Sequence, residues 1–464
     1  MAARDPHAVA SGPLDFDGLR NDEFGRLDEA GITYLDYTGS GLYAESQIRA
    51  HAAYLCAHVL GNPHSGSGPS TEATGIIARA REDVLDFFGA DPARWTVCFT
   101  HNASAACKLV GEAYPFGPDS RFVLPADNHN SVNGIREFAR AAGAAIDYLG
   151  LDEDLRLPHG APLPAAGRDP SLFAFPAQSN FSGVQHPLSL IDSAREAGYD
   201  VLLDAAAFVP TNPLSLAEVE PDFVCVSFYK MFGYPTGVGA LLARRESLDR
   251  LRRPWFSGGT VEWVTVGTGK RSLLPSAEAF EDGTPNFLDI AAVPAGLDLL
   301  RRLGMDRLHE RVTALTAALL HAFVGAGDAA GRPVVRVYGP IEAAGRGATV
   351  AFNVLDGTGG VLPYERVERE AREAGIAIRG GCFCNPGASE AAFGVDPLRA
   401  LGCLERVPKG AFHPRVLGDC LDGAPVGALR ASFGIASAER DVERLVGFLT
   451  EMAQGRPGER RAAG

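Results

Sequence analysis

The sequence has no segment of the kind that carries a protein into or across a membrane. None of its apolar runs reaches 18 residues, so we expect no transmembrane helix. Residues 1–12 contain no basic stretch followed by an apolar core, which argues against a secretory signal. We therefore expect a cytoplasmic protein without a membrane partner.

An excess of positive charge is also absent. The chain of 464 residues carries 43 Lys and Arg against 57 Asp and Glu, a formal net charge of −14. A surface with this balance repels phosphate groups, which argues against nucleic acid or an anionic membrane as a partner.

Cysteines are too few and too scattered for a disulfide framework. Eight occur in the whole chain, and without an export signal the expected compartment is reducing. Free thiols are therefore the default expectation.

The order of apolar runs predicts the fold class. With 46% hydrophobic and 22% charged residues, the composition is that of an ordinary globular protein. Strand-like runs alternate with helical stretches, without internal repeats or low-complexity tracts. This alternation predicts an α/β fold with a mostly parallel central sheet covered by helices on both faces.

The length suggests more than one domain. We expect a loose N-terminal arm over residues 1–30 with one short helix, a large domain over 31–303, and a smaller α/β domain over 304–464 that ends in a polar tail from 455. A further helix is predicted over 45–60, with Ile48, Ala52, Leu55 and Val59 on one apolar face.

A lysine ends one of the predicted buried strands. The apolar run 222–226 leads to Lys230, and glycines and a proline follow it. Burial of an ammonium group lowers its pKa, and a neutral lysine amine is a nucleophile toward aldehydes. The alternative is a lysine with a buried stem whose charged end reaches solvent.

An acid ends the preceding strand. Asp204 closes the run 199–204 and precedes Lys230 by 26 residues, enough for one crossover between neighbouring strands. A lysine and a carboxylate at neighbouring strand ends suit pyridoxal phosphate. The lysine holds the cofactor aldehyde, and the carboxylate pairs with the pyridinium nitrogen.

Stretches 203–206 and 227–230 resemble the class V aminotransferase fold and, within it, the cysteine desulfurases. The likeness extends over about residues 30–450, and several ordered blocks are more specific than any single motif. It implies a pyridoxal-phosphate-dependent transferase of fold type I. The blocks most similar to the N-terminal domain of molybdenum cofactor sulfurases are 34–37, 61–65, 227–242, 280–284, 352–356 and 381–388.

The resemblance assigns the cofactor phosphate to a strand-to-helix loop. Asn102, Ala103 and Ser104 lie where the family has its phosphate loop, and Ser227 would add a hydroxyl. In the family a Gly-Thr pair reaches the phosphate site of the other subunit, which corresponds to Thr284 here and implies a homodimer. The alternatives are an ordinary helix cap for the loop and a surface turn at Thr284.

The resemblance also assigns residues around the cofactor ring. His129 would stack on the ring and relay protons, and Asn180 would bond the 3-hydroxyl. A loop histidine and a turn asparagine without such roles are the alternatives. Tyr229 stands where cysteine desulfurases usually have histidine, and cofactor sulfurases share this tyrosine.

A glycine-rich segment, 378–387, carries two thiols, Cys382 and Cys384. Its three glycines and one proline predict a flexible loop, on which an exposed thiol is reactive. Alignment of Arg379 with the arginine of related desulfurases places the nucleophile at Cys384, although Cys382 stays open. A metal site with His413 and Cys403 or Cys420 makes no recognised pattern, so no metal is expected.

Arg430 matches the family arginine that binds the α-carboxylate of the substrate. A guanidinium binds a carboxylate through two parallel hydrogen bonds. The alternative is a surface arginine at a strand edge.

Together these residues predict an enzyme that takes sulfur from L-cysteine or a related amino acid as a persulfide. Another class V reaction, such as C–S lyase, aminotransferase or epimerase chemistry, would need Lys230 and Asp204 but no thiol. A sulfur-carrying scaffold would keep Cys384 without a working Lys230. The sulfur acceptor is unknown, because eukaryotic cofactor sulfurases continue into a further domain, whereas this chain stops about 30 residues after Arg430.

Overall fold

The order of strands and helices follows the predicted alternation. A computed structural model describes residues 15–327, 331–411, 413–423 and 425–453; the predicted tail from 455 and residues 1–14 of the predicted arm lie outside these ranges. The strands are β1 (Thr33–Tyr34), β2 (Trp95–Thr100), β3 (Arg121–Pro125), β4 (Ala145–Leu149), β5 (Leu172–Pro176), β6 (Asp200–Asp204), β7 (Phe223–Ser227), β8 (Gly239–Arg244), β9 (Val261–Val264), β10 (Arg271–Leu273), β11 (Val335–Tyr338), β12 (Thr349–Val354), β13 (Ile376–Ala377), β14 (Arg379–Gly381) and β15 (Ala428–Ser432).

Helices separate most of these strands, and a short 3₁₀ helix spans Ala277–Phe280. The α-helices are α1 (Phe16–Phe24), α2 (Arg26–Glu29), α3 (Glu45–Ala57), α4 (Gly68–Phe87), α5 (Ala103–Ala113), α6 (Asn130–Asn133), α7 (Ile135–Ala141), α8 (Leu190–Glu196), α9 (Phe228–Phe232), α10 (Arg245–Leu248), α11 (Phe287–Ile290), α12 (Val293–Leu303), α13 (Met305–Gly325), α14 (Tyr364–Glu373), α15 (Pro386–Phe393), α16 (Pro397–Leu404), α17 (Pro414–Cys420) and α18 (Glu439–Ala453).

The large sheet confirms the predicted fold class. Its seven strands have the order β2-β8-β7-β6-β5-β3-β4, and every neighbouring pair is parallel except the two that β8 makes. Alternate residues of β7 belong to different apolar clusters. Val224 and Val226 lie in the cluster that contains Leu297 of α12, while Phe223 and Cys225 lie in the cluster that contains residues of α5. The sheet is therefore covered on both faces, as the continuous apolar runs indicated.

A second sheet, β11-β12-β15-β14, is antiparallel throughout and belongs to the C-terminal part of the chain. The segment 376–381 is divided between two sheets: β13 pairs with β1, and β14 pairs with β15. The chain changes partners here because it passes from one sheet to the other. The domain boundaries at 31 and 304 stay predictions.

The N-terminal segment differs from the loose arm that was predicted. Two helices, α1 and α2, occupy residues 16–29, and Phe24 is fully buried. Arg20 is also buried and forms ion pairs with Asp28 at 2.9 Å and Asp441 of α18 at 2.6 Å. The buried Phe24 ring and the ion pair between Arg20 and Asp441 hold this segment against the C-terminal helix.

The predicted helix over 45–60 forms as α3, but its expected apolar face is not its buried one. Ile48 and Val59 are exposed, whereas Gln47 and His51 are buried. His51 is buried because its ring bonds the Tyr234 hydroxyl and the Leu288 carbonyl oxygen.

The expectation of free thiols is wrong for two cysteines. Cys403 of α16 and Cys420 of α17 form a disulfide, because the two helices pack side by side and bring the thiols together. The other six cysteines are free. Across the described ranges, no group of three or more His, Cys, Asp and Glu side chains could hold a metal, and no helix has the length and apolar character needed to cross a membrane.

Candidate active site

A cavity opens where several parallel strands of the large sheet end. Its volume is about 590 Å³ including the open mouth. Ligand sites of open α/β sheets lie at this carboxyl edge. The cavity is lined by Asn102, Ala103, Ser104, Cys107, His129, Ser131, Pro176, Gln178, Asn180, Asp204, Ala206, Ala207, Ser227, Tyr229 and Lys230.

Lys230 and Asp204 lie in this cavity on neighbouring elements. Asp204 ends β6 and pairs in register with Cys225 of β7, and the short helix α9 then carries Lys230. Burial lowers the pKa of Lys230, the Asp204 carboxylate opposes this shift, and the charge of Arg430 adds to it. One carboxylate oxygen of Asp204 accepts the Ala206 N–H at 3.0 Å. Burial therefore favours the neutral amine of this lysine more than water would.

The segment predicted to bind the phosphate lies at the start of α5. The Asn102 side chain accepts a hydrogen bond from the Ala105 N–H at 3.0 Å. This asparagine is therefore a helix cap, which was the alternative to a phosphate ligand. The Ala103 N–H donates to the Ser227 hydroxyl oxygen at 2.8 Å, which leaves the hydroxyl proton of Ser227 to be donated elsewhere. The hydroxyls of Ser104 and Ser131 lie 2.5 Å apart. Hydroxyls and a helix N-terminus therefore meet at one end of the cavity.

His129 begins the segment after β3 and caps α6. Its Nδ1 accepts the Ser131 N–H at 3.1 Å and lies 2.9 Å from the Ser131 hydroxyl, so the proton of the neutral ring is on Nε2. Burial lowers the pKa of His129. The carboxylate of Asp204 opposes this shift, and the positive charge of Lys230 lowers the pKa further. The ring therefore stays neutral to a lower pH than an exposed histidine.

The segment with the two thiols is held in place, which corrects the expectation of a flexible loop. Residues 379–381 form β14, and Phe383 and Cys384 both adopt left-handed backbone conformations, with φ of 55° and 56°. The carbonyl oxygen of Phe383 accepts the Asn180 side-chain amide at 2.7 Å. Asn385 is fully buried and donates to the Asp127 carbonyl oxygen at 2.6 Å and to Asn180 Oδ1 at 2.9 Å. These bonds fix a tight turn despite the glycines.

The two thiols of this turn are exposed but face different neighbours. The Cys384 carbonyl oxygen accepts the Asn130 N–H at 2.8 Å, which joins this cysteine to the segment that begins at His129. Cys382 lies instead near Tyr364 of α14, whose pKa is raised to about 12 by burial, by neighbouring glutamates and by this cysteine. Neither thiol lines the cavity, but Cys384 is tied to its edge.

Arg430 is not a surface residue. It lies on β15, between β12 and β14, and is 2% exposed. Its guanidinium donates to the Asn180 carbonyl oxygen and to Asp36 Oδ1, both at 2.9 Å, and lies 4.6 Å from the centre of the Phe383 ring. The alternative of a strand-edge arginine is therefore wrong, because β15 has a neighbouring strand on each side, β12 and β14.

Thr284 lies away from this cavity. It is exposed and lines a separate depression with Thr100 and His101, and its hydroxyl accepts from the Asn62 side chain at 3.2 Å. The threonine therefore makes no contact with the cavity of its own subunit.

Sequence reasoning missed a buried pair behind the cavity. His186 Nε2 lies 2.9 Å from Asp127 Oδ2, with both side chains almost fully buried. Asp127 precedes His129 by two residues, and its carbonyl oxygen holds Asn385. Nothing in the sequence distinguishes His186 from a loop histidine, whereas Asp127 stands in the strand-end position where polar residues of such sites occur.

The amino-acid sequence is similar to a family model and to curated proteins. The family model described as "Aminotransferase class-V" matches residues 33–445. Molybdenum cofactor sulfurase from Solanum lycopersicum is 35% identical over 96% of this chain and 58% of its own length. The protein of that name from Homo sapiens is 37% identical over 97% of this chain and 53% of its own length. The chain thus spans little more than half the length of these curated relatives.

Solved structures share the fold. The apo cysteine desulfurase of Thermococcus onnurineus superposes with a TM-score of 0.76 at 24% identity, covering 96% of this chain and all of the other. A cysteine desulfurase of Escherichia coli gives 0.74 at 22% identity, covering 95% of this chain and 99% of the other. The family match indicates a pyridoxal-phosphate-dependent enzyme, and the chain belongs to the class-V aminotransferase family.

Proposed function

We propose that the protein is a cysteine desulfurase, which takes sulfur from L-cysteine, holds it as a persulfide on Cys384 and releases alanine. One observation carries this proposal. An exposed thiol, Cys384, is tied through Asn130 to the edge of the cavity that contains Lys230 and Asp204. The names of the similar sulfurases and desulfurases support the same activity.

The cavity residues fit pyridoxal phosphate. One oxygen of Asp204 is used by the Ala206 N–H, and the other receives no hydrogen bond from the described residues, so it suits a protonated ring nitrogen. The Ser227 hydroxyl and the start of α5 suit a phosphate. Lys230, with its lowered pKa, suits an aldehyde. When bound, the cofactor supplies an electron sink for the bonds of an amino acid.

The residues of the chain then have separate tasks. Arg430 binds the substrate α-carboxylate, which fixes the amino group toward the cavity. With the amino group of the substrate bound in the cavity, the Nζ of Lys230 would be available to remove the proton from Cα. His129, neutral with its proton on Nε2, exchanges protons beside the ring.

Cys384 performs the sulfur transfer as a thiolate. Its Sγ attacks the substrate sulfur, a new S–S bond forms, and the Cβ–S bond breaks. The electron pair of that bond is left on the substrate, where Cβ takes a proton when alanine forms; the bound cofactor would stabilise the charge that develops. The products are alanine and a Cys384 persulfide, so atoms and electrons balance.

A C–S lyase is the second candidate. One structure with this fold is described as a cystine C–S lyase, at 18% identity and a TM-score of 0.69. Such a reaction needs no protein thiol. The hydrogen-bonded turn that presents Cys384 favours the desulfurase, because a lyase would gain nothing from it.

The protein is further proposed to act as a cytoplasmic homodimer in which Thr284 serves the partner's cavity. In support, Thr284 is exposed and does not line the cavity that contains Lys230. The β9–β10 hairpin nearby exposes apolar side chains that a second subunit would cover, with Trp263 50% and Val266 98% exposed. A separate protein, molybdenum cofactor or a small molecule would accept the sulfur.

The decisive experiment compares Cys384→Ser with Cys382→Ser, since the two residues share one turn and are both exposed. Purified enzyme receives L-cysteine and a thiol reductant, and alanine, sulfide and pyruvate are quantified. We expect Cys384→Ser to lose alanine formation by at least about 100-fold, because removing the attacking group leaves no path to the persulfide. Cys382→Ser should lose much less.

Pyruvate with ammonia in place of alanine would show that the protein is a lyase. Alanine formation at the wild-type rate in Cys384→Ser would remove this cysteine as the nucleophile. Mass spectrometry of the cysteine-treated wild-type enzyme locates the added sulfur directly.

A further inference from the structure

The guanidinium assigned to the substrate carboxylate is already occupied. Arg430 is 2% exposed, and two of its nitrogens donate to the Asn180 carbonyl oxygen and to Asp36 Oδ1. Its third nitrogen, Nε, is buried and has no hydrogen-bond partner among the described residues. Two of the five N–H groups of the guanidinium are therefore used within the protein, and an incoming carboxylate meets an arginine that already has a carboxylate partner.

Asp36 is the side-chain partner of Arg430, and it is shared with another cation. A second arginine, Arg379, donates hydrogen bonds to the same carboxylate from Nε at 2.9 Å and from a terminal nitrogen at 2.6 Å. The Asn180 oxygen, by contrast, belongs to the backbone of a buried residue. Asp36 therefore has more contacts to Arg379 than to Arg430 and would keep them if its one bond to Arg430 broke.

The charges favour such an exchange. Arg379 and Arg430 are directly opposed on β14 and β15, where like charges repel. Asp36 supplies one negative charge to these two positive ones, so the cluster keeps a net charge of about +1. The side chain of Arg379 is 48% exposed, whereas that of Arg430 is only 3% exposed.

We propose that Asp36 is a built-in stand-in for the substrate carboxylate. The α-carboxylate of the amino acid replaces Asp36 on Arg430, and Asp36 stays bound to Arg379. Only a ligand that also brings an amine to Lys230 gains enough to displace a carboxylate that is already paired. Asp36 is thus a specificity-determining residue against simple anions. This inference rests on the proposed amino-acid substrate.

Asp36→Asn tests the exchange. The asparagine keeps an oxygen for Arg430 but loses its charge, so an ion pair is replaced by a hydrogen bond from a charged donor to a neutral acceptor. The dissociation constant of L-alanine, followed by the visible absorption of the loaded enzyme, should fall about tenfold. An unchanged or larger dissociation constant would overturn the proposal, because it would mean that Asp36 merely holds Arg430 in place.

A second measurement needs neither cofactor nor turnover. Acetate should raise the unfolding temperature of the Asp36→Asn apoprotein at concentrations that leave the wild-type apoprotein unchanged. Equal responses of the two proteins to acetate would contradict the stand-in role. This measurement also shows whether Asp36→Asn is folded.

The Arg379→Gln variant separates exchange from direct binding by Arg379. Without Arg379, Asp36 pairs with Arg430 alone and is harder to displace, so L-alanine should bind more weakly. In the double variant with Asp36→Asn this loss should disappear. If the loss persists, Arg379 itself binds the substrate and the proposal is wrong. If L-alanine fails to bind even the wild-type enzyme, the proposed function fails instead.

Discussion

Replacing Lys230 with methionine should stabilise the apoprotein. The cavity lowers the pKa of this lysine below its ordinary value of 10.5, chiefly by burial. Between the two pKa values the unfolded chain binds more protons than the folded one, so the wild-type apoprotein gains stability as the pH rises through that window. Below the window, each unit of lowering costs the folded state about 1.4 kcal/mol. Methionine has a similar length and no charge, so it removes this cost.

Urea unfolding of both apoproteins between pH 6 and pH 10, at one protein concentration, measures the difference. Lys230→Met should be more stable near neutral pH, and its advantage should shrink as the pH approaches 10.5. Lys108→Met is the matched control, because the Lys108 side chain is 65% exposed, and it should show no such trend. An advantage that is independent of pH, or one that grows with pH, would refute a lowered lysine pKa.

Other regions give predictions of their own. His186→Leu should destabilise the protein by about 3–5 kcal/mol in urea unfolding, because it leaves the buried Asp127 carboxylate without its partner; His186→Gln keeps an N–H donor and should lose less, and equal losses would contradict the pairing. If Thr284 serves the partner's cavity, mixing inactive Thr284 and Lys230 variants should restore about a quarter of the activity through hybrid dimers, and no recovery after subunit exchange would argue against it. Thiol titration of the unfolded chain should find six free cysteines before reduction and eight after it, and eight before reduction would exclude the Cys403–Cys420 disulfide.

The sequence by itself determined the large sheet and the positions at its carboxyl edge. The predicted strand-like runs 199–204 and 222–226 correspond to β6 and β7. Their apolar runs identify them because strands buried on both faces need continuous hydrophobicity. The ends of parallel strands meet at one edge, so Asp204 and Lys230 could be placed together before any contact was known.

The tertiary structure alone decided how the remaining site residues are held. Arg430 meets Asp36 across 394 positions of sequence, and the glycine-rich turn is fixed by Asn180 and Asn385, which also come from distant segments. Local patterns carry no information on such partners, because hydrogen bonds and ion pairs depend on side-chain direction and burial. For the same reason, the glycines indicated a flexible loop where the fold builds a rigid turn, and only the sheet order showed that Arg430 is buried.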